Sequence, residues 1–189
     1  CEFFSSYGEL LEEISDLHAS GKTFGMILSS IVHEIYSFET PIGLRSFWEE
    51  VLNVGAEYIF FRDMAVSTAH SCRLVSSSNP GILPQVKKGV DKELFDSFEK
   101  VWGKITTVRE LTHFLLKYHY KDNWKKEVQE QYLLNPIDIE IDITDHNYDV
   151  IYQDHSVLPF IKQKIKKDLG FDWFIPTHLK MVFKRRKDE

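Results

Sequence analysis

From Tyr7 onward, Leu10, Leu11, Ile14, Leu17 and His18 recur at helical spacing, and Gly21 stands where such a helix stops. Ser6-Tyr7-Gly8-Glu9 opens the stretch as a capping box, with the Ser6 side chain accepting from the third helical N–H while Glu9 reaches back. Phe24 to Leu28 is a short apolar run, the pattern of a strand buried on both faces. Leu44, Phe47, Trp48, Val51 and Leu52 return to helical spacing, with Gly55 as the stop. Tyr58-Ile59-Phe60-Phe61 is aromatic and β-branched, which predicts a second buried strand. Strand, helix, strand with short joins is a βαβ unit, and its strands are expected to be parallel with a right-handed crossover.

The middle of the chain reads as a long connection followed by helices. Ser76-Ser77-Ser78-Asn79-Pro80-Gly81 and Pro84 break the pattern, so the stretch between Ala65 and Gly89 is expected to be a long loop, which in a compact domain is a lid, a binding loop or a disordered segment. Asp91 to Trp102 is amphipathic through Leu94, Phe95, Phe98, Val101 and Trp102. Thr107-Val108-Arg109-Glu110 is a second capping box, opening a helix with Leu111, Phe114, Leu115 and Tyr118. Asp122 to Leu134 continues helically, with Trp124, Val128 and Tyr132 on one face. Ile137, Ile139, Ile141 and Ile143 then alternate with acidic residues, a strand by period, and helical turns are the alternative. Tyr148 to Tyr152 reads as a strand, Phe160 to Leu169 as a helix with a lysine-rich outer face, and His178 to Lys184 as a strand with Leu179, Met181 and Phe183 inward. The organisation is residues 1–64 as part of a parallel βαβ core, 65–134 as lid loop and helical insertion, and 135–189 as final strands and helix.

Composition narrows the functional classes. The 189 residues carry 43% hydrophobic and 28% charged side chains, the profile of one ordinary globular domain. A formal charge of −6 argues against non-specific nucleic-acid binding as the main task. No apolar run reaches the length of a membrane span, so no membrane partner is expected. Two cysteines, Cys1 and Cys72, give neither a disulfide framework nor zinc spacing, and a reducing, cytoplasmic setting is expected.

In an open parallel sheet, ligands bind beyond the carboxyl ends of the strands. That rule selects Ser29-Ser30-Ile31-Val32-His33-Glu34 after the first strand and Arg62-Asp63-Met64 after the second, both opening on one edge of the sheet. His33 suits a general base near neutral pH, and Glu34 would orient it or take the proton itself. The alternative is that Ser29 and Ser30 satisfy loose backbone groups while His33 starts a helix. For Arg62 and Asp63 the alternative is an ion pair that fixes the loop. His33-Glu34 opens like a zincin helix, but Ser37 stands where the second histidine belongs, and no metal is expected. No glycine-rich phosphate loop of the Rossmann or Walker type is present. Lys117-Tyr118-His119-Tyr120 mixes cations with aromatics suited to a planar or phosphorylated ligand, with helix packing as the other use.

Met26-Ile27-Leu28-Ser29-Ser30-Ile31-Val32-His33-Glu34-Ile35-Tyr36 resembles the fourth strand and following turn of class I S-adenosylmethionine-dependent methyltransferases, where an apolar strand runs into a Ser-Ser-x-(Val/Leu)-His-(Glu/His) turn. Trp48 to Met64 is similar to the helix and fifth strand that follow. Thr112 to Tyr118 and Asn123-Trp124 are similar to an insertion in bacterial and phage methyltransferase-like proteins, and Asp154 to Phe160 with Thr177 to Lys180 resemble the final two strands and their helix. The resemblance implies an α/β, three-layer Rossmann-like methyltransferase sheet with a helical insertion, of which the chain holds the later strands only. The glycine-rich loop and the ribose-holding acid of that family are not in this sequence, so the resemblance implies an N-terminally truncated domain, a half that pairs with another chain, or a degenerate, non-catalytic relative, in which the loop from Ser67 to Gly89 would act as a lid. S-adenosylmethionine is then the expected cofactor, bordered by Ser29 and Ser30. His33 and Glu34 would be catalytic, and Tyr36, Arg62, Asp63, His113, Lys117 and Tyr118 would meet substrate. The family's base-methylating members often carry an Asn/Asp-Pro-Pro-Tyr turn where Ser29-Ser30 stands, so a small-molecule acceptor of an O- or N-methyl group is expected. A non-catalytic scaffold holding a protein or RNA partner through the insertion and the basic tail, and an RNA-modifying enzyme, are the alternatives.

Overall fold

The computed structural model describes residues 7–66 and 68–187. Ser6 of the first capping box, Cys1 and Ser67 lie outside the described residues. In chain order the elements are α1 (Tyr7–Ala19), β1 (Gly25–Ser29), α2 (Val32–Phe38), α3 (Pro41–Asn53), β2 (Tyr58–Met64), α4 (Thr68–Ser71), α5 (Val75–Ser78), α6 (Ile82–Gly89), α7 (Lys92–Trp102) and α8 (Val108–Lys117). A short 3₁₀ turn (Lys121–Asn123) leads into α9 (Trp124–Glu127), followed by α10 (Pro136–Thr144), β3 (Tyr148–Ser156), α11 (Pro159–Leu169) and β4 (His178–Arg185).

The strands form one mixed sheet in the order β1-β2-β4-β3. As the βαβ pattern predicts, β1 and β2 are parallel, with Ser29 opposite Arg62 at their carboxyl ends. The last strand, β4, lies antiparallel between β2 and β3. Gly21 and Gly55 close α1 and α3 at φ +69° and +74°, a backbone that a side chain would strain.

The sheet is covered on one face. Leu28, Ile59, Phe61, Leu179, Met181 and Phe183 point into a core shared with Val32 of α2, Trp48 and Leu52 of α3, and Ile139 and Ile143 of α10. On the other face Ile27, Phe60, Val182 and Tyr152 form one cross-strand row, and Ile27 is 74% exposed. The reading of β1 and β2 as strands buried on both faces is therefore corrected, and among the described residues the sheet has no third layer over this row. A second core, built from α5 to α9 and α11, gathers Phe95, Phe98, Phe114, Leu115 and Trp173 beyond the end of β2.

Three further expectations change. The stretch expected as a lid loop is helical from Thr68, and Val75, Ile82 and Val86 bury in the second core. Helix does not continue to Leu134: it ends at Glu127, and Leu134 pairs in parallel with Ala65 beyond the end of β2. The isoleucine alternation at 137–143 is not a strand. Asn135 accepts from the Ile137 N–H, Pro136 occupies the first turn, and the segment winds into α10. Ile139 and Ile143 are fully buried, while Ile137 and Ile141 are 51% and 50% exposed. The Thr107–Glu110 capping box forms as expected.

A helix separates Ile139 from Ile141, whereas a strand would place both on one face. Ile139→Ala is expected to cost about 2–5 kcal/mol in urea unfolding, and Ile141→Ala no more than about 0.5 kcal/mol. Equal losses would return the segment to a strand.

Candidate functional site

The site starts from side-chain alternation in β2. Arg62 points to the open face, where its Nη1 donates to Ser29 Oγ at 3.3 Å, and Asp63 points the other way into the core with no solvent exposure. The alternative reading of these two residues as an Arg62–Asp63 ion pair is therefore corrected: they point to opposite faces. A buried carboxylate needs donors, and three N–H groups supply them. The His33 backbone N–H lies 3.0 Å from Oδ2, His33 Nδ1 lies 2.8 Å from Oδ1, and the Met64 N–H lies 2.8 Å from Oδ1. The turn that brings His33 there passes through Ser30 at φ +55°, with the Ser30 N–H on the Arg62 carbonyl at 2.8 Å.

His33 thereby has its Nδ1 side fixed by Asp63, and its Nε2 faces Glu130 Oε2 at 3.8 Å. Glu130 is 2% exposed. The Tyr132 ring lies edge-on to His33 at 5.2 Å. Lys126 spans the mouth, with Nζ 3.0 Å from Glu130 Oε1 and 3.4 Å from Glu34 Oε1. Ligand atoms of His33, Glu34 and Glu130 all lie within 4.8 Å of one another, a spacing that a cation could bridge. The Lys126 ammonium already serves both carboxylates there.

Glu130 is placed by the segment after α9, and α8 holds that segment. Lys117 is fully buried, and its Nζ donates to the carbonyls of Glu127 and Glu130 while lying 4.4 Å over the Tyr132 ring. His113 Nε2 receives the Tyr132 N–H at 3.2 Å. Ser37 Oγ donates to the His33 carbonyl at 2.5 Å and accepts the Gln131 N–H at 2.6 Å, tying α2 to the same segment. Burial pushes the Lys117 amine down to about 7, with the Glu130 and Glu127 carboxylates pulling the other way. Burial, and then the charge of Lys117, hold His113 well below the ordinary histidine value.

Of the residues expected from sequence, the structure brings together His33, Glu34 and Asp63. Glu34 is not the orienter of His33: Asp63 occupies that place and Glu34 faces Lys126. Ser29 and Ser30 are exposed at the carboxyl edge beside Arg62. Tyr36 turns toward α10, donating to Asp142 and accepting from the Trp48 indole N–H at 3.3 Å. Burial, with that hydrogen bond to Asp142 second, raises its phenol. His113, Lys117 and Tyr118 are 4%, 0% and 4% exposed, enclosed in the second core rather than presented to a ligand. Tyr118 instead donates to Asp168 at 3.1 Å. Sequence reasoning missed Glu130 and Lys126, because both lie off the Trp124–Val128–Tyr132 stripe and read as solvated helix surface. It also missed His178, a buried neighbour whose value falls to about 4 through burial and then the Arg62 charge.

No protein-family model matches the chain, and no curated protein matches it significantly. Among solved structures it is similar to a SAM-dependent methyltransferase from Anabaena variabilis at a TM-score of 0.39 and 12% identity, over 93% of this chain and 54% of that one. The chain thus spans about half the length of that protein. Among the described residues no helix is long and apolar enough to cross a membrane.

Lys117 gives this arrangement a pH signature. Its folded value, about 7, lies below the ordinary 10.5, so the unfolded chain binds more protons between the two. Its contribution to stability is full above pH 10.5 and is lost as pH falls through 7. Stability should therefore rise from pH 7 toward 10 with a slope of up to about 1.4 kcal/mol per pH unit from this one proton. Lys117→Met should flatten that component, measured by urea unfolding across the range. An unchanged slope would remove the assignment.

Proposed function

We propose that the chain is the substrate-facing part of an S-adenosylmethionine-dependent methyltransferase, moving a methyl group to an O or N atom of a small molecule. The observation that carries this reading is the His33–Asp63 pair at the carboxyl ends of adjacent parallel strands, within the segments that resemble that family. When bound, the sulfonium cofactor supplies the methyl group. The residues at the edge fit one side of such a group: the Ser29 and Ser30 hydroxyls and the Arg62 guanidinium are polar and open there. His33 takes the acceptor's proton at Nε2, because Asp63 accepts from Nδ1 and leaves the far nitrogen as the base. Glu130, beyond hydrogen-bond range at 3.8 Å, stabilises the imidazolium that results. The acceptor enters past Lys126, whose side chain is half exposed.

A binding domain without turnover is the second reading. It is favoured by the enclosure of His33, 5% exposed, and by the apolar row from Ile27 to Tyr152 on the open face of the sheet.

Calorimetric titration of S-adenosylhomocysteine into the protein, paired with transfer of a labelled methyl group into a small-molecule extract, separates the two. Binding in the micromolar range is expected of a protein extended upstream to carry the glycine-rich loop and the ribose-holding acid that this reading requires. His33→Gln should leave that affinity unchanged while lowering transfer by about 10²–10⁴-fold, the size of a general-base contribution. Absence of binding and of transfer from that extended protein would hand the chain to the second reading.

A further inference from the structure

A cavity of about 250 Å³ lies between α5, α6, α8 and the segment 172–175, remote in composition from the His33 cluster and sharing no residue with it. Val75, Ile82, Leu111, Trp173 and Ile175 give it apolar walls, and Arg73, Asn79 and Asp172 are the polar residues of its lining. All of these apolar residues but Ile175 are buried members of the second core. One wall is fixed by backbone pairing. Leu74 and Thr107 form an antiparallel bridge, the Val75 N–H meets the Thr106 carbonyl at 2.9 Å, and the Val108 N–H meets the Arg73 carbonyl at 2.7 Å. The cavity is therefore preformed rather than opened by a moving loop.

Two polar groups of this wall lack partners. Trp173 is 4% exposed, and its indole Nε1–H is buried with no acceptor among the described residues. Arg73 is exposed at the wall, and no carboxylate or carbonyl receives its guanidinium among the described residues. Asp172, the acid of the lining, is already paired with Lys166 at 2.8 Å. Both unpartnered groups are donors, and one is a permanent cation. The Trp173 N–H is closed off from solvent, so Arg73 is the donor open to a ligand, and a ligand that completes it must present acceptor oxygens and negative charge on an apolar body.

We propose that this cavity binds a small carboxylic acid with a single ring or a short aliphatic chain. Its carboxylate lies on Arg73, and its apolar body lies against Val75, Leu111 and Trp173. The site is independent of the methyl-transfer reading and stands or falls without it.

Three matched probes test it: 3-phenylpropionate, 3-phenylpropanol and 3-phenylpropylamine, each titrated into the protein by calorimetry with tryptophan fluorescence alongside. The acid should bind at least ten-fold more tightly than the alcohol. Arg73→Gln, a change at an exposed position, should erase that preference and leave the alcohol's affinity as it was. Ile175→Trp, filling the cavity from its half-exposed side, should abolish both. If that variant fails to fold, the Arg73→Gln comparison still decides. Preference for the amine, which would point to Asp172, overturns the proposal. So does an acid affinity untouched by Arg73→Gln, or silence from all three probes.

Discussion

Asp63 has no contact with solvent, and the arrangement around it follows from that single fact. A carboxylate in such a place must be met by donors or be excluded by the fold. Two of its three donors belong to His33, which lies at the start of α2 and not on β2. The exit of β1 is thereby tied to the exit of β2, and the connection between them has one path that delivers both the amide and the ring. That path requires Ser30 in the left-handed region, at a cost of about 1–2 kcal/mol for a residue with a side chain. A hydrogen bond to a charged group contributes about 1.5–3 kcal/mol. Two such bonds outweigh one strained residue, so the turn holds without glycine.

The second constraint is the segment from Val128 to Leu134, which joins the two cores. Val128, Tyr132 and Leu133 bury among the helices beyond β2, whereas Leu134 buries against the sheet. A helix cannot span both, because its N–H groups would turn back onto its own carbonyls. After Glu130 three of them go outward: to Ser37 from Gln131, to His113 from Tyr132, and to the Met64 carbonyl from Leu134. Glu130 sits in the middle of this run and faces His33 because its neighbours are held, not through any preference of its own. Lys117 and His113, expected at a ligand, act on the site from behind by fixing this run.

How much of this was legible follows from the range of each signal. The parallel β1–β2 pair, the inward stripe of β4 and the Thr107 cap are written in residues a few positions apart, and they formed as read. The edge on which His33 and Asp63 meet was legible too, because parallel strands end on the same side. What failed depended on distance or competition. Alternating isoleucine and acid at 137–143 is a strand by period, but Asn135-Pro136 is a helix start, and burial of Ile139 and Ile143 on one face decided for the helix. Glu34 was assigned to His33 because it is adjacent in sequence, although consecutive residues on a helix do not face each other. The true partners, 30 residues downstream for Asp63 and further still for Glu130, are visible only once the register and the segment after α9 are known.

Packing alone does not call for a histidine and an aspartate at these positions. Val32 and Phe61, close by in sequence on either side, are apolar and buried at 0% and 2% exposure. Replacing a buried ionic pair by well-packed apolar side chains is often neutral or stabilising, since desolvation consumes most of the attraction. Breaking one member of such a pair is costly, so the two residues depend on each other without adding much to the fold. An interaction of small net value, held rigidly at the carboxyl ends of parallel strands where open α/β sheets bind ligands, is poorly accounted for by stability. The proposed proton transfer, which needs one ring nitrogen fixed and the other left as the base, would account for it. The same test separates Lys117 from a ligand contact: it is enclosed, aromatic-lined and saturated by carbonyls, so its role ends at the backbone it holds.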